Sequence, residues 1–293
     1  MTQQDGTGRV TSLWRFPVKS MQGDAHAALE VTATGIVGDR AFALFDVERG
    51  KLASAKDVKH FPGLLDFHAS YVSEPRADVP LPPLRIVFPD GSEVTVAADD
   101  AVAADARLSA WFGRTVRLQR ADAHVPDGAA NAQPLTSIQA RVGTELSAAL
   151  GLEDTVPITP FIDLFPCSLI TRATIERLSA LAPGSVFDER RFRMNMTLDV
   201  AGEGFVENAW PGGRVAIGDS VQLHVAMADP RCALTTLAQP GLALDAEVLR
   251  TMNAHNRLPT LIGDQPCAGV YASVLRHGVV RVGDSVCLDM PSG

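Results

Sequence analysis

Apolar residues fall on every second position from Ser220 to Met227, as Val221, Leu223, Val225 and Met227. A period of two puts them on one face of a half-buried strand, which Asp229-Pro230 is expected to stop. Shorter runs predict further strands at Val10 to Phe16, Ala41 to Val47, Thr115 to Leu118 and Cys167 to Ile170. Leu84 to Phe88 and Glu93 to Ala97 flank Pro89-Asp90-Gly91, which predicts a hairpin. Arg191 to Val200 alternates in the same way, so Arg193 and Asn195 are expected on one strand face, with Arg190 and Arg191 merely solvated. Ala268 to Leu275 and Val279 to Val282 suggest a hairpin across His277-Gly278.

Helical signals are fewer. One helix is expected from Ala101 to Trp111 with Gly113 as its stop, and another from Thr136 or Ser137 to Leu150. Thr171 is placed to cap a third over Arg172 to Leu181, and Leu244 to Met252 reads as a fourth. Ile217-Gly218-Asp219-Ser220-Val221 returns as Val282-Gly283-Asp284-Ser285-Val286. Each copy reads as strand, Gly-Asp turn, strand, which suits the corners of a closed sheet. The fold class expected is strand-rich α+β with barrel-like turns. The Ala, Asp, Gly, Asn and Pro-rich stretch from Ala121 to Pro134 marks a boundary, dividing the chain into residues 1–124 and 125–293.

Composition narrows the function classes. The chain has 293 residues, a net charge of −8 and a pI near 5.3, which argues against general nucleic-acid binding but not against a local basic pocket. The polar start and the absence of a 20-residue apolar run predict a soluble, cytoplasmic protein without a membrane span. Cys167, Cys232, Cys267 and Cys287 form no Cys-x-x-Cys pair, so a structural zinc site or an iron–sulfur cluster is not expected. Nucleotide fingerprints, Gly-x-Ser-x-Gly and His-Glu-x-x-His are also missing. Of the seven histidines only His255, beside Asn256 and a loop, stands where a functional side chain would; a helix-end or surface role fits it as well.

Cys232 sits just past a predicted strand end, beside Arg231. A neighbouring guanidinium favours thiolate, the form that attacks or binds metal; the alternative is a small apolar residue filling a gap. Lys19-Ser20, Asp39-Arg40, Arg193 with Asn195, and Arg231 also stand near predicted strand ends. Brought together they would cradle an anion; taken singly, Lys19 and Arg40 are equally a solvated lysine and a surface ion pair.

Pro17-Val18-Lys19-Ser20 with Gly23, Gly38-Asp39-Arg40, Phe192-Arg193-Met194-Asn195, Arg231-Cys232 with Leu234-Thr235-Thr236, and Gly283-Asp284 follow one another along the chain. In that order they resemble the MOSC family, in the branch with an extra N-terminal β-rich domain. The resemblance implies a β-barrel-like MOSC domain and a molybdopterin form of the molybdenum cofactor, with Cys232 as metal ligand and catalytic residue. It implies that Lys19, Ser20, Arg40, Arg193, Asn195, Arg231 and Tyr271 hold the cofactor; pyridoxal phosphate binding also comes with the family. The activity implied is reduction of small N-hydroxylated compounds, hydroxylamines or amidoximes, with electrons from a ferredoxin or a flavin or iron–sulfur reductase. Sulfur transfer through a Cys232 persulfide, or cofactor carriage without catalysis, are the alternatives. Leu164-Phe165-Pro166 departs from the family's Thr-Ser pair before the proline, which makes the pocket more apolar. Asp163 is a conceivable proton relay or an exposed structural carboxylate.

Overall fold

The computed structural model describes residues 8–97, 100–121, 161–162, 164–260 and 263–290; Asp163, most of the 121–134 stretch and the helix expected to end at Leu150 lie outside them. Two compact units divide the chain. The first takes the stretch ending at Trp14, then Ala25–Ile36 and everything from Phe165 on; the second takes Arg15–Asp24 and Val37 to Leu164.

In the first unit, seven strands close on themselves: β1 (Gly8–Arg15), β2 (Cys167–Thr171), β3 (Met196–Val200), β4 (Arg214–Ile217), β5 (Val221–Pro230), β6 (Gly263–Arg276) and β7 (Ser285–Asp289). Their order is β2-β3-β1-β7-β4-β5-β6, and β6 returns to β2. Only β2 and β3 run parallel, joined by a crossover that carries the helix Arg172–Leu181. Alternate residues fill the interior, among them Val10, Leu13, Leu169, Met196, Leu198, Val215, Val221, Leu223, Val225 and Val270. A barrel of this size has room for side chains rather than a channel. The opposite faces of β2 and β6 supply Ile170 and Ala268 to an outer layer with Leu178, Phe192, Met194, Val248 and Met252. That layer seats Arg172–Leu181 and the helix Glu247–His255, which begins three residues later than its pattern suggests.

The expected details hold where local chemistry suffices. The Thr171 side chain accepts from the backbone N–H of Thr174 and so caps its helix. Glu207, fully buried, takes the hydroxyls of Thr171 and Thr174 at 2.7 Å each, and burial holds its carboxyl above the usual range. The two Gly-Asp turns lie side by side: the Gly218 N–H donates to the Ser285 carbonyl at 2.9 Å. Gly218 has φ 53°, and a Cβ there would sit 2.9 Å from the Asp284 carboxylate. Both the backbone angle and the close approach call for glycine.

Three expectations are corrected. β5 runs through Asp229 to Pro230, which pairs with Cys267 as the last residue of the strand. The hairpin across His277-Gly278 does not form; the end of β6, through Arg276, pairs with β5, and β2 pairs with β6 only from Val270 to Ala272. Gly278–Arg281 pairs instead with Ala28–Thr32 in a separate three-stranded sheet. The strand at Arg191 to Val200 starts only at Met196. Asp188 caps a short helix, Glu189–Phe192, by accepting from the Arg190 N–H, and Arg193 ends it in the left-handed region at φ 54°. Capping chemistry thus overrides the alternation.

The second unit is built from small sheets. Phe42–Asp46 lies between Val116–Arg120 and Lys51–Leu52. His68–Tyr71 pairs with Leu84–Val87, which makes the expected hairpin with Glu93–Val96. The helix Val102–Phe112 ends on left-handed Gly113 and packs Trp111 and Phe112 against Phe67 at ring-centroid distances of 5.6 and 5.4 Å. Among the described residues no helix is long and apolar enough to cross a membrane.

Candidate functional site

Cys232 is the exposed one of the four cysteines, directly after β5. Its predecessor is fixed from several directions. The Arg231 guanidinium pairs with the Asp229 carboxylate and donates to the Phe192 carbonyl. It also reaches the Met194 sulfur at 3.9 Å and lies 5.7 Å from the centre of the Phe192 ring. Asp229 is 1% exposed, so this is a largely desolvated ion pair whose geometry is set by its neighbours. The Arg231 backbone N–H donates to the Pro266 carbonyl at 2.7 Å, tying the end of β5 to β6.

Behind Cys232 the chain turns through a 3₁₀ helix, Ala233–Thr236. The Cys232 carbonyl accepts from the Thr235 N–H at 3.2 Å and from its hydroxyl at 3.0 Å. Cys267 faces Pro230 across the ladder and is fully buried. Burial, with the Asp229 charge adding to it, pushes the Cys267 thiol up to about 11, so it stays protonated at neutral pH. One thiol is therefore available and its neighbour is inert.

The structure brings Arg193, Asn195, Arg231 and Cys232 into one neighbourhood, although not through a shared strand face. Arg193 is the left-handed residue just before Met194, whose sulfur Arg231 reaches. The Asn195 side chain is buried and knits strands together. Its Oδ1 accepts from the Ser168 N–H at 3.2 Å and hydroxyl at 3.1 Å, and its Nδ2 donates to the Trp14 carbonyl at 3.4 Å. Tyr271 stands on β6 opposite Met227 and Ser168, its ring 5.9 Å from that of Phe165. The aromatic Phe165 thus packs against the candidate pocket tyrosine.

Lys19, Ser20 and Arg40 gather in the second unit by an interlocked pair of backbone segments. Lys19 N–H donates to the Phe42 carbonyl, Phe42 N–H to Pro17, and Arg40 N–H to Phe16, at 2.7–3.0 Å. Asp39 accepts from the Phe16 N–H at 2.8 Å and pairs with Arg40, whose guanidinium lies 5.2 Å from the Phe16 ring centre. Lys19 Nζ donates to the Phe161 carbonyl at 3.2 Å. Lys19 is therefore more than a solvated lysine, and Arg40 is 16% exposed rather than a surface ion pair.

Four non-glycine residues have left-handed backbones among those described, and three of them are Ser20, Arg40 and Arg193. Such conformations cost about 1 kcal/mol or more each and gather where geometry serves function. Sequence reasoning missed Arg191, which is buried, and the role of Asp229, which it took only as a strand stop. The i, i+2 spacing of Asp229 and Arg231 was the available signal. Among the described residues no three His, Cys, Asp or Glu side chains gather as a metal cluster.

Residues 7–125 match the MOSC N-terminal beta barrel domain, and residues 160–287 match the MOSC domain. The chain is 26% identical over 309 residues to mouse mitochondrial amidoxime-reducing component 1, covering 98% of this chain and 83% of that protein. A rat relative, mitochondrial amidoxime reducing component 2, is 32% identical over 129 residues, 42% of this chain and 37% of that protein. Among solved structures, the YuaD protein of Bacillus subtilis covers 97% of both chains at 11% identity and a TM-score of 0.42. YiiM of Geobacillus stearothermophilus covers 42% of this chain and 54% of its own at 17% identity and a TM-score of 0.30. With its N-terminal and C-terminal halves each matched in order, the chain belongs to the MOSC family, with distant likeness to the amidoxime-reducing components.

Proposed function

We propose that this chain binds a molybdenum cofactor and reduces N-hydroxylated compounds with electrons from an external donor. The observation that carries the reading is one exposed thiol, Cys232, whose chain neighbour Arg231 is held rigidly by Asp229, the Phe192 carbonyl and Met194. A soft thiolate suits molybdenum. When bound, that cofactor supplies the two-electron redox centre. In this reading Cys232 holds the metal, Arg231 and Arg193 supply charge for the cofactor's phosphate, and Asn195 and Tyr271 help orient it. Lys19, Ser20 and Arg40 are further proposed cofactor-binding residues, each tested by its own substitution.

The test is metal analysis and turnover of protein expressed with a molybdenum supply, assayed on hydroxylamines and amidoximes with a chemical reductant. Bound molybdenum with turnover is the expected result, and NADH alone should give none. Bound cofactor without turnover makes the chain a carrier, and metal-free protein with cyanide-releasable sulfur makes it a sulfur-transfer protein. Ser20→Gly separates binding from folding. Glycine relieves the φ 67° backbone, so stability should stay level or rise by up to about 1 kcal/mol in urea unfolding. Cofactor retention should nevertheless fall, and unchanged retention removes Ser20 from the binding set.

A further inference from the structure

Arg191 is 1% exposed, and the groups its guanidinium reaches are backbone carbonyls. Nε donates to Val186 at 2.8 Å and Nη2 to Ala243 at 2.8 Å, while Nη1 spans Thr235 at 3.3 Å and Leu237 at 3.4 Å. Burial pushes its pKa down, opposed by the charges of Asp245 and Asp188. A buried charge without a carboxylate in contact is costly, and here the planar fork offsets that cost by matching several carbonyls at once. Three of the four acceptors, Thr235, Leu237 and Ala243, belong to the loop that follows Cys232.

That loop is closed on itself. Leu237 N–H donates to Leu234, Gln239 and Leu242 exchange backbone bonds, and Asp245 N–H returns to the Thr236 carbonyl at 2.8 Å. Arg190, one residue earlier on the same short helix, holds the rim by donating to the Pro240 carbonyl at 3.1 Å. The innermost link is Thr235, whose carbonyl accepts from Arg191 and whose N–H and hydroxyl both donate to the Cys232 carbonyl. On the other side of Cys232, Arg231 donates to the carbonyl of Phe192, the neighbour of Arg191. The helix Glu189–Phe192 therefore grips the cysteine segment from both sides.

We infer that Arg191 is a positioning residue for Cys232, acting through Thr235 to fix the segment that presents the thiol. The inference rests on Cys232 being the functional thiol, whether it holds a metal or carries sulfur. Arg231 ties the near side of the cysteine segment to Phe192, and Arg191 ties its far side through Thr235. A lysine cannot replace it, because one ammonium on a flexible stem cannot reach acceptors on opposite sides of the loop.

The test uses the full-length, metal-free protein with Cys287→Ser as background, so that Cys232 is the accessible thiol. Hydrogen exchange of the 232–245 segment and the rate of Cys232 alkylation by iodoacetamide are compared in Arg191→Lys, Thr235→Val and Thr235→Ser. Arg191→Lys and Thr235→Val should speed exchange in that segment at least about tenfold and change the alkylation rate severalfold, with barrel exchange unaltered. Thr235→Ser, which keeps the hydroxyl, should restore both. Wild-type segment exchange and alkylation in Arg191→Lys or in Thr235→Val overturn the inference, as does a Thr235→Ser variant no better than Thr235→Val. If Arg191→Lys does not fold, Arg191→Gln takes its place in the same two readouts, because every Thr235 variant keeps the backbone carbonyl that Arg191 reaches. Because every readout is taken without molybdenum, failure here and failure of the cofactor assignment are distinguishable.

Discussion

Cys232→Ser should abolish reductase turnover while far-UV circular dichroism and the urea midpoint stay at wild-type values. The residue is exposed at the end of β5, so the substitution opens no cavity and strands no buried polar group. What changes is chemical: a soft sulfur donor becomes a hard hydroxyl that is almost entirely protonated at neutral pH. The loss should exceed the roughly 10–100-fold that removal of an outer-shell partner costs a metal site. X-ray absorption at the molybdenum edge should count one sulfur fewer. Pterin can remain, since the surrounding arginines are untouched. The matching change at Cys267 tests specificity, because that thiol is buried, protonated and packed beneath the ladder. Cys267→Ser should cost modest stability and leave the sulfur count alone. Wild-type turnover and sulfur count in Cys232→Ser would reduce Cys232 to a surface cysteine.

The second large effect is expected at Asp229. Asp229→Ala removes the carboxylate partner of Arg231, whose side chain is only 9% exposed and still bound to the Phe192 carbonyl. Leaving a largely buried guanidinium without its counter-charge costs about 3–5 kcal/mol, readable as a lower urea midpoint at unchanged slope. Asp229→Asn should cost less, because one acceptor oxygen survives. A double variant, Asp229→Leu with Arg231→Met, should recover much of the stability, since replacing both partners of a buried pair by apolar groups is often neutral. It should not recover cofactor binding. That separation distinguishes an ion pair kept for function from one kept for folding. Full stability in Asp229→Ala would mean that water and the backbone carbonyl satisfy Arg231 on their own.

The barrel, the capped helix after Thr171 and the paired Gly-Asp turns were legible in the sequence because each rests on local chemistry. Alternation fixes which face of β5 is buried, Thr171 supplies its own cap, and Gly218 and Gly283 sit where the backbone turns left-handed. The ordered motifs likewise identified the family. Strand partnership was a different matter. Gly278–Arg281 had a neighbour in sequence that looked like its partner, yet β6 pairs through Arg276 with β5, and Gly278–Arg281 pairs with Ala28–Thr32. Which distant strand a segment joins is a property of the assembled sheet, and no window of residues contains it.

The arginines show the same division. A run of Arg190, Arg191, Phe192, Arg193 reads as the start of a strand, with Arg191 expected in solvent. Asp188 instead caps one helical turn, Arg193 ends it, and Arg191 is turned into a cage of carbonyls from residues 5 to 52 positions away. The sequence by itself determined which cations, hydroxyls and thiols stand near the strand ends. Only the tertiary structure decided which guanidinium pairs with Asp229 ahead of the cysteine and which stands behind the loop. Both roles depend on carbonyls and a carboxylate supplied by other segments, and such contacts exist only once those segments have packed.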